Sequence, residues 1–223
     1  MPQRSAALPT LAACTLVAVA FAAALASVTL DLSAWTREDV RRLQIERAPI
    51  ALSPLVMIGH DKRALMPWGG GTAAAPRVGQ GTVAQVYVVD FIYTRCASLC
   101  VALGSVFQRM QKSLAERGLV GKVALLSISF DVAHDGVAEA ATYARVHGAA
   151  AGAWWVAIPD AAGLARLLAE AGVVVIADGA GGYAHNGGIH VIDAQGRLLR
   201  VFDAGQYEAA LDFAASRARG PGP

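Results

Sequence analysis

The segment VYVVDFIYTRCASLC, residues 86–100, contains the features that decide the fold. Its first eight residues are mostly β-branched or aromatic, which is typical of a buried strand. Cys96 and Cys100 follow four residues apart, and the sequence after them has a helical pattern. A helix that began at or just before Cys96 would place both cysteines on one face, about one turn apart. We therefore expect a strand, a cysteine-bearing turn and a helix, with two sulfur atoms able to converge on one target.

The cysteine pair is open to three uses: a structural disulfide, thiol redox chemistry or the binding of a soft metal ion. A helix N-terminus lowers the pKa of a thiol and so favours the thiolate, which attacks disulfides and binds metals. A structural bond between Cys96 and Cys100 would close a loop of only five residues and would remove little entropy from the unfolded chain. We therefore favour a redox or metal-binding role.

The N-terminal segment is apolar and long enough to cross a bilayer, since residues 5–30 contain no charged side chain. Ala24-Leu25-Ala26 has the form of a cleavage site, but the apolar run is longer than a typical signal-peptide core. We predict that residues 1–30 form a transmembrane signal anchor, with a signal peptide as the alternative. Leu11-Ala12-Ala13-Cys14 also matches the short pattern that precedes a lipid-modified cysteine, but it lies early in the apolar run, so we expect Cys14 to be an inert side chain within the membrane. Because Arg4 precedes the run, we expect a single-pass inner-membrane protein whose globular part faces the periplasm.

The remaining composition indicates a folded domain that does not bind nucleic acid. The 223-residue chain is 55% hydrophobic, which is ample for a buried core. Residues 31–223 contain 18 basic and 17 acidic side chains, and the basic residues of segment 31–48 are balanced by acidic neighbours. Nucleic-acid binding requires a basic face, which this pattern lacks. We expect a juxtamembrane linker at 31–50, one domain at 51–219 and a short tail at 220–223.

Strand and helix patterns alternate along this domain. The predicted strands and apolar stretches cover residues 83–93, 122–130, 153–158, 173–177, 189–193 and 197–203, and the predicted helices cover residues 98–117, 137–147, 160–171 and 206–218. A hairpin turning at residues 59–62 precedes them, and loops are predicted at 67–82 and 178–188. This order predicts an α/β fold, specifically a thioredoxin-like sandwich with central strands buried on both faces.

Three motifs of the sequence resemble those of the Sco/SenC family. FIYTRCASLC at residues 91–100 resembles the family pattern F-x-Y-T-x-C-x-x-x-C, and LSISFDVAHD at 126–135 is similar to S-I-S-x-D-P-x-x-D. HNGGIHVIDAQGR at 185–197 resembles the histidine-bearing segment that leads into I-D-x-x-G-R. The three lie in the family's order and spacing, over roughly residues 83–205. The sequence departs from the family where Ala97, Val101 and Val132 stand in place of prolines.

Sco/SenC proteins are membrane-anchored, thioredoxin-like copper proteins that help to assemble the copper centre of cytochrome c oxidase subunit II. The resemblance implies that Cys96, Cys100 and His185 form a Cys2His copper site. Thiolates select Cu(I) and an imidazole also suits Cu(II), so such a site could hold copper in either oxidation state. The absent prolines change the stiffness of the backbone around the cysteines, and hence the redox potential, more than they change the identity of the ligands.

Two functions follow from this resemblance. The first is an assembly factor, a metallochaperone that delivers copper to cytochrome c oxidase subunit II or another cuproprotein client, with an upstream copper donor or a thioredoxin-like reductant as a further partner. The second is an enzyme, a thiol–disulfide oxidoreductase whose redox pair, Cys96 and Cys100, reduces the client's cysteines before copper is loaded. A peroxidase is disfavoured because its usual threonine-and-cysteine arrangement is missing.

We expect the other polar residues near the motifs to have structural roles. His190 lies within the strand pattern IHVI and is expected to be a strand histidine, so His185 is preferred over it as the third ligand. Asp135 is predicted to cap a helix, and Asp131 to close a strand, although either carboxylate could orient a ligand. The remaining histidines are expected to lie on the surface, namely His60, His134 and His147.

Overall fold

The computed structural model describes residues 7–29, 34–69, 77–78, 82–96 and 99–219, and the chain divides into two units, Met1–Arg47 and Ala48–Pro223. The first unit contains helices α1 (Ala7–Val28) and α2 (Arg37–Arg47). Within the described residues, α1 is the one helix that is long and apolar enough to cross a membrane, over Pro9–Val28. Its length and composition match those of the predicted anchor. Helix α2 lies within the predicted juxtamembrane linker at 31–50.

The described residues of the second unit form twelve strands and four α-helices. The strands are β1 (Ile50–Ala51), β2 (Met57–Gly59), β3 (Ala64–Leu65), β4 (Arg77–Val78), β5 (Thr82–Val83), β6 (Val86–Ile92), β7 (Val123–Ser129), β8 (Trp154–Pro159), β9 (Val175–Ala177), β10 (Tyr183–His185), β11 (Ile189–Asp193) and β12 (Arg197–Phe202). The helices are α3 (Leu99–Glu116), α4 (Val137–His147), α5 (Ala161–Ala171) and α6 (Tyr207–Ala218), with a 3₁₀ turn at Ala204–Gln206. The predicted elements of the domain are therefore present.

Eight of these strands form one mixed sheet in the order β1-β12-β11-β6-β7-β8-β2-β3. Strands β6, β7 and β8 are parallel, whereas β11 runs antiparallel to β6. Every residue of β6 and β7 is buried, which explains why both strands are mostly apolar instead of alternating with polar residues; the polar exceptions are Asp90, Ser127 and Ser129. The result is the thioredoxin-like α/β fold that the sequence predicts.

The register of the central strands places a carboxylate inside the core. Asp90 of β6 lies beside Ser127 of β7, and the hydroxyl of Ser127 accepts a hydrogen bond from Trp154 Nε1 at 3.0 Å. Trp154 in turn packs against Phe107 of α3, so this face of the sheet is covered by that helix. Asp90 is fully buried, and burial raises its pKa to about 7, an effect that the Ser127 hydroxyl offsets only in part.

Short polar caps define the ends of two helices on the sheet. Asp160 accepts a hydrogen bond from the amide N–H of Gly163 at 2.8 Å and is the N-cap residue of α5. This start agrees with the helix predicted at 160–171. The cap of α4 differs from the prediction, because Gly136 is the N-cap residue and Glu139 accepts its N–H at 2.9 Å. The prediction that Asp135 caps this helix is therefore wrong, because its carboxylate accepts hydrogen bonds from Thr94 and Ser129 instead.

Two loop predictions also change. The predicted loop 178–188 contains β10, which pairs with β9 in a two-stranded antiparallel sheet, so His185 lies on a short strand. Much of the predicted loop 67–82, namely residues 70–76 and 79–81, lies outside the described residues, and its described part includes the pair β4 and β5. The hairpin predicted at residues 59–62 is present as the connection between β2 and β3.

The contact between α3 and α4 depends on a glycine. A Cβ atom built on Gly104 of α3 would lie 2.4 Å from Cε1 and Nδ1 of His147, at the end of α4. The ring of His147 also packs against Tyr143, with ring centroids 4.3 Å apart, and is half-buried. His147 is therefore not a surface histidine as predicted, and burial lowers its pKa.

We expect Gly104→Ala to lower the free energy of unfolding by roughly 1–3 kcal/mol, because the added methyl group forces the His147 ring out of its place. Alanine on its own would favour the helix by about 1 kcal/mol over glycine. In a His147→Ala background, where the collision is removed, the same substitution is expected to stabilise the protein. Denaturant unfolding of the wild type, the two single variants and the double variant tests this change of sign, and an equal effect of Gly104→Ala in both backgrounds would contradict it.

Candidate metal centre

Cys96 lies in a turn that ends β6. Its amide N–H donates to the carbonyl of Tyr93 at 3.2 Å, and only 7% of the residue is exposed. Helix α3 begins at Leu99, so Cys96 precedes the helix while the backbone of Cys100 belongs to its first turn. A helix that begins at or just before Cys96, the condition for placing both cysteines on one helical face, is therefore not present, whereas the start of α3 agrees with the helix predicted at 98–117. The side chain of Cys100, like residues 97–98, lies outside the described part of the chain.

The buried carboxylate of Asp135 forms hydrogen bonds with the segment that leads into this turn. Asp135 accepts the amide N–H of Thr94 at 2.9 Å and its hydroxyl at 2.6 Å. The hydroxyl of Ser129 donates to the same carboxylate at 2.7 Å. Because Ser129 ends β7 and Thr94 follows β6, Asp135 ties together the carboxyl ends of two neighbouring parallel strands. Its role is therefore to fix the backbone that leads into Cys96.

A second buried carboxylate, Asp131, accepts hydrogen bonds from three side chains. These are Arg95 Nη2 at 2.6 Å, His134 Nδ1 at 2.8 Å and Tyr183 Oη at 3.2 Å. Burial by itself would raise the pKa of Asp131, but the hydrogen bonds from Arg95, His134 and Tyr183 outweigh it and lower the pKa. The carboxylate is therefore ionised at neutral pH. His134 is exposed, as predicted, but its ring also takes part in this cluster.

His185 is held on β10, whose partner in register is Val175 of β9. Both of its ring nitrogens are buried and make no hydrogen bond to the described residues. The ring packs edge-on against Phe130, with centroids 5.0 Å apart, and burial lowers its pKa. The imidazole is therefore neutral at pH 7, which is the form that binds metal ions.

An aromatic cluster joins the His185 strand to the segment that leads into Cys96. The rings of Tyr93, Phe130 and Tyr183 contact one another pairwise, with centroids 5.3 to 5.5 Å apart. The Tyr183 N–H also donates a long, 3.4 Å hydrogen bond to Tyr93 Oη. Since Phe130 also packs against His185, the cluster brings together the two segments that carry Cys96 and His185.

The alternative histidine, His190, lies inside the main sheet. It pairs with Val89 of β6 and is almost completely buried, and its ring packs edge-on against Phe91 with centroids 5.2 Å apart. Such a position agrees with the expected role of a strand histidine.

The complete Cys2His ligand set stays a prediction. Within the described side chains, which leave out Cys100, no group of three or more His, Cys, Asp and Glu residues could hold a metal ion. Sequence reasoning missed Arg95, Phe130 and Tyr183 around the site. Tyr183 stands two residues before His185 and would share a face with it on a strand, but the glycine-rich segment predicts a loop, so the sequence does not mark it. No pattern marks Arg95 or Phe130 either.

A cavity of about 400 Å³ opens beside Cys96. Helix α4 supplies most of its wall, and the lining residues are Thr94, Cys96, Ala138, Glu139, Thr142, Tyr143, Val146 and His147. The cysteine is therefore buried against the protein and still borders a space that a side chain of another molecule can enter.

A family model described as SCO1/SenC matches residues 76–215 of the chain. The search of curated proteins returned no match. The matched range contains β6 to β12, both cysteines of the pair and His185.

Solved structures share the fold at low sequence identity. A SCO1/SenC family lipoprotein from Bacillus anthracis str. Ames is 17% identical, with a TM-score of 0.64 over 77% of this chain and 98% of that one. BsSco, a Sco-family cytochrome c oxidase assembly protein with a disulfide switch, is 14% identical, with a TM-score of 0.63 over 78% and 96%. Copper-bound ScoI of Arabidopsis thaliana is 13% identical, with a TM-score of 0.60 over 77% and 99%.

Proposed function

Because this chain belongs to the SCO1/SenC family, we propose that it binds copper and takes part in the assembly of cytochrome c oxidase. Two neighbours in fold support this role: BsSco is described as an assembly protein for that oxidase, and the Arabidopsis ScoI structure contains copper. The copper ion is then cargo that the protein receives and passes on.

The proposed ligands are Cys96, Cys100 and His185. The observation that carries this proposal is the state of His185, a neutral imidazole whose two buried nitrogens have no hydrogen-bond partner among the described residues. A buried polar group without a partner is costly, and a metal ion would supply the missing interaction. Two thiolates suit Cu(I), and the imidazole allows Cu(II) to bind at the same place.

We place delivery at the copper centre of cytochrome c oxidase subunit II or of another cuproprotein. Transfer by ligand exchange requires a partner's donor atom to approach the bound ion, and the cavity beside Cys96 offers such an approach. Helix α1 would anchor the protein in the inner membrane, with the domain in the periplasm. The pair Cys96 and Cys100 would also serve thiol–disulfide exchange, but that chemistry has no use for His185.

Copper titration of the full chain in detergent tests the ligand set. The reduced wild-type protein is expected to bind one Cu(I) per chain, and Cu(II) with thiolate-to-copper absorption and nitrogen hyperfine coupling in its EPR spectrum. His185→Ala should lose that nitrogen coupling and bind Cu(II) more than about 100-fold more weakly, since it removes a direct ligand and not merely an outer partner.

Two histidine variants serve as controls. His190→Gln tests the rival ligand, and His60→Gln changes a histidine whose Nδ1 accepts the N–H of Val156 at 3.1 Å in the β2–β8 region. Both are expected to keep the wild-type copper spectrum. Unchanged Cu(II) binding by His185→Ala, or loss of the nitrogen coupling in His190→Gln, would contradict the proposed ligand set.

A further inference from the structure

The carboxylate of Asp131 is the point at which three segments of the site meet. One hydrogen bond comes from Arg95, directly before Cys96, and another from Tyr183, two residues before His185. The third comes from His134, in the loop between β7 and α4. Asp131 itself is only 2% exposed, whereas the side chains of Arg95 and His134 are 43% and 55% exposed, so water is excluded from the carboxylate but not from these two donors.

The hydrogen bond from Tyr183 to Asp131 lies close to His185 along the chain. Tyr183 and His185 belong to the same strand, and residues two apart on a strand point to the same face. Both rings contact Phe130, with centroids 5.5 Å and 5.0 Å away. Fixing the Tyr183 hydroxyl on Asp131 therefore also fixes the part of β10 that carries the imidazole.

The two buried carboxylates act on different parts of the site. Asp135 binds the backbone N–H and the hydroxyl of Thr94, so the turn that carries Cys96 keeps an anchor of its own. Asp131 connects this turn to the strand of His185 through the side chains of Arg95 and Tyr183, at 2.6 and 3.2 Å, and the hydrogen bond from the Tyr183 N–H to Tyr93 Oη is longer, at 3.4 Å. Loss of the Asp131 carboxylate should therefore loosen the histidine relative to the cysteine, and leave the cysteine turn in place.

We infer that Asp131 is a positioning residue for His185, and that it sets the preference of the site for Cu(II) relative to Cu(I). This inference rests on the proposed copper site. A pair of thiolates can satisfy Cu(I) without the imidazole, whereas Cu(II) binding gains from the nitrogen ligand. A histidine held at the right distance from Cys96 therefore stabilises the oxidised ion selectively.

Asp131→Asn in the full chain tests this role, because asparagine keeps the size of the side chain but removes its charge and one acceptor oxygen. Outer partners of metal ligands typically contribute 10- to 100-fold in affinity, so we expect Cu(II) affinity to fall by at least about tenfold. Cu(I) affinity should change by less than about threefold, because Asp135 still holds the Cys96 turn. The nitrogen hyperfine coupling of bound Cu(II) should weaken or disappear.

A second background shows whether Asp131 acts through His185. In His185→Ala protein, Asp131→Asn is expected to cause no further loss of Cu(II) affinity, because there is no imidazole left to position. Tyr183→Phe removes only the hydroxyl that reaches Asp131, and should reproduce the selective loss of Cu(II) affinity even if Asp131→Asn does not fold. Equal losses of Cu(I) and Cu(II) affinity, or additive losses in the double variant, would overturn the inference.

Asp193→Asn is the matched control. Asp193 is also a buried aspartate paired with an arginine, since Arg197 Nε donates to it at 2.7 Å. It lies opposite Val86, at the start of β6, whereas Cys96 follows the end of that strand. Its substitution should leave the ratio of Cu(II) to Cu(I) affinity unchanged. If wild-type protein binds no copper, the proposed function fails; if wild type binds and Asp131→Asn keeps the wild-type ratio, only the inference about Asp131 fails.

Discussion

Cys96→Ser is expected to lower the affinity for Cu(I) by more than about 100-fold, a larger effect than the loss of an outer partner, because it replaces a soft thiolate by a hard hydroxyl group. The substitution changes a single atom, so the turn that ends β6 should persist through the Thr94–Asp135 hydrogen bonds. Competition with a colorimetric Cu(I) chelator, using the full chain in detergent, measures the change.

The chain contains its own control for this substitution. Cys14 is the third cysteine, and it lies exposed on α1 within the segment that is apolar enough to cross a membrane. Cys14→Ser should leave Cu(I) binding at the wild-type level, which would show that the bound ion belongs to the domain. Wild-type affinity in Cys96→Ser protein would rule out Cys96 as a ligand.

Asp90→Asn is expected to raise the free energy of unfolding at pH 8 by on the order of 2–4 kcal/mol. Burial raises the pKa of Asp90 to about 7 in the folded protein, compared with 3.8 as the ordinary value. Between these two values the folded state keeps a proton that the unfolded state has released. Stability therefore falls as the pH rises from about 4 to 7, and asparagine, which cannot ionise, removes this loss.

Urea unfolding at pH 5 and at pH 8, followed by tryptophan fluorescence, measures both parts of this expectation. The advantage of Asp90→Asn over wild type should be larger at pH 8 than at pH 5. Asp193→Asn provides a contrast, because that carboxylate accepts hydrogen bonds from Arg197 and from the N–H of Gln195, and its loss should destabilise the protein. A variant of Asp90 that is less stable than wild type at pH 8 would contradict the expectation.

The sequence predicts the main sheet well because its central strands carry strong patterns. The apolar runs of β6 and β7 have no alternation, and this alone indicates strands covered on both faces. Helix α5 is equally clear, since Asp160 and Gly172 stand at its two ends and act as its caps. In these elements, local preference and tertiary packing agree.

The prediction fails where tertiary hydrogen bonds decide the local structure. Asp135 stands where a helix cap belongs, yet its carboxylate is taken by Thr94, 41 residues earlier in the chain. A helix that began at or just before Cys96 would place both cysteines on one face, but the Cys96 N–H closes a turn with Tyr93 and α3 begins at Leu99, close to the predicted start at residue 98. Neither competition is visible from neighbouring residues alone.

In the candidate site, too, local sequence predicts some features, and others depend on tertiary contacts. Motif resemblance selects Cys96, Cys100 and His185, but it does not place His185 on a strand. That strand forms because Tyr183, Ala184 and His185 pair with β9 within a segment rich in glycine, which favours a loop prediction. The links through Asp131 join residues 36 and 52 positions apart, so they emerge only from the folded structure.

The long separation between Cys96 and His185 along the chain has a consequence for biogenesis. Cys96 leaves the ribosome 89 residues before His185, and His185 takes its place only when β9 and β10 have paired and Tyr183 has reached Asp131. On the proposed export to the periplasm, a chain that is still crossing the membrane would offer copper the two proposed thiolate ligands without the proposed histidine ligand. The proposed Cys2His site would then be complete only after the last third of the protein has been exported and folded.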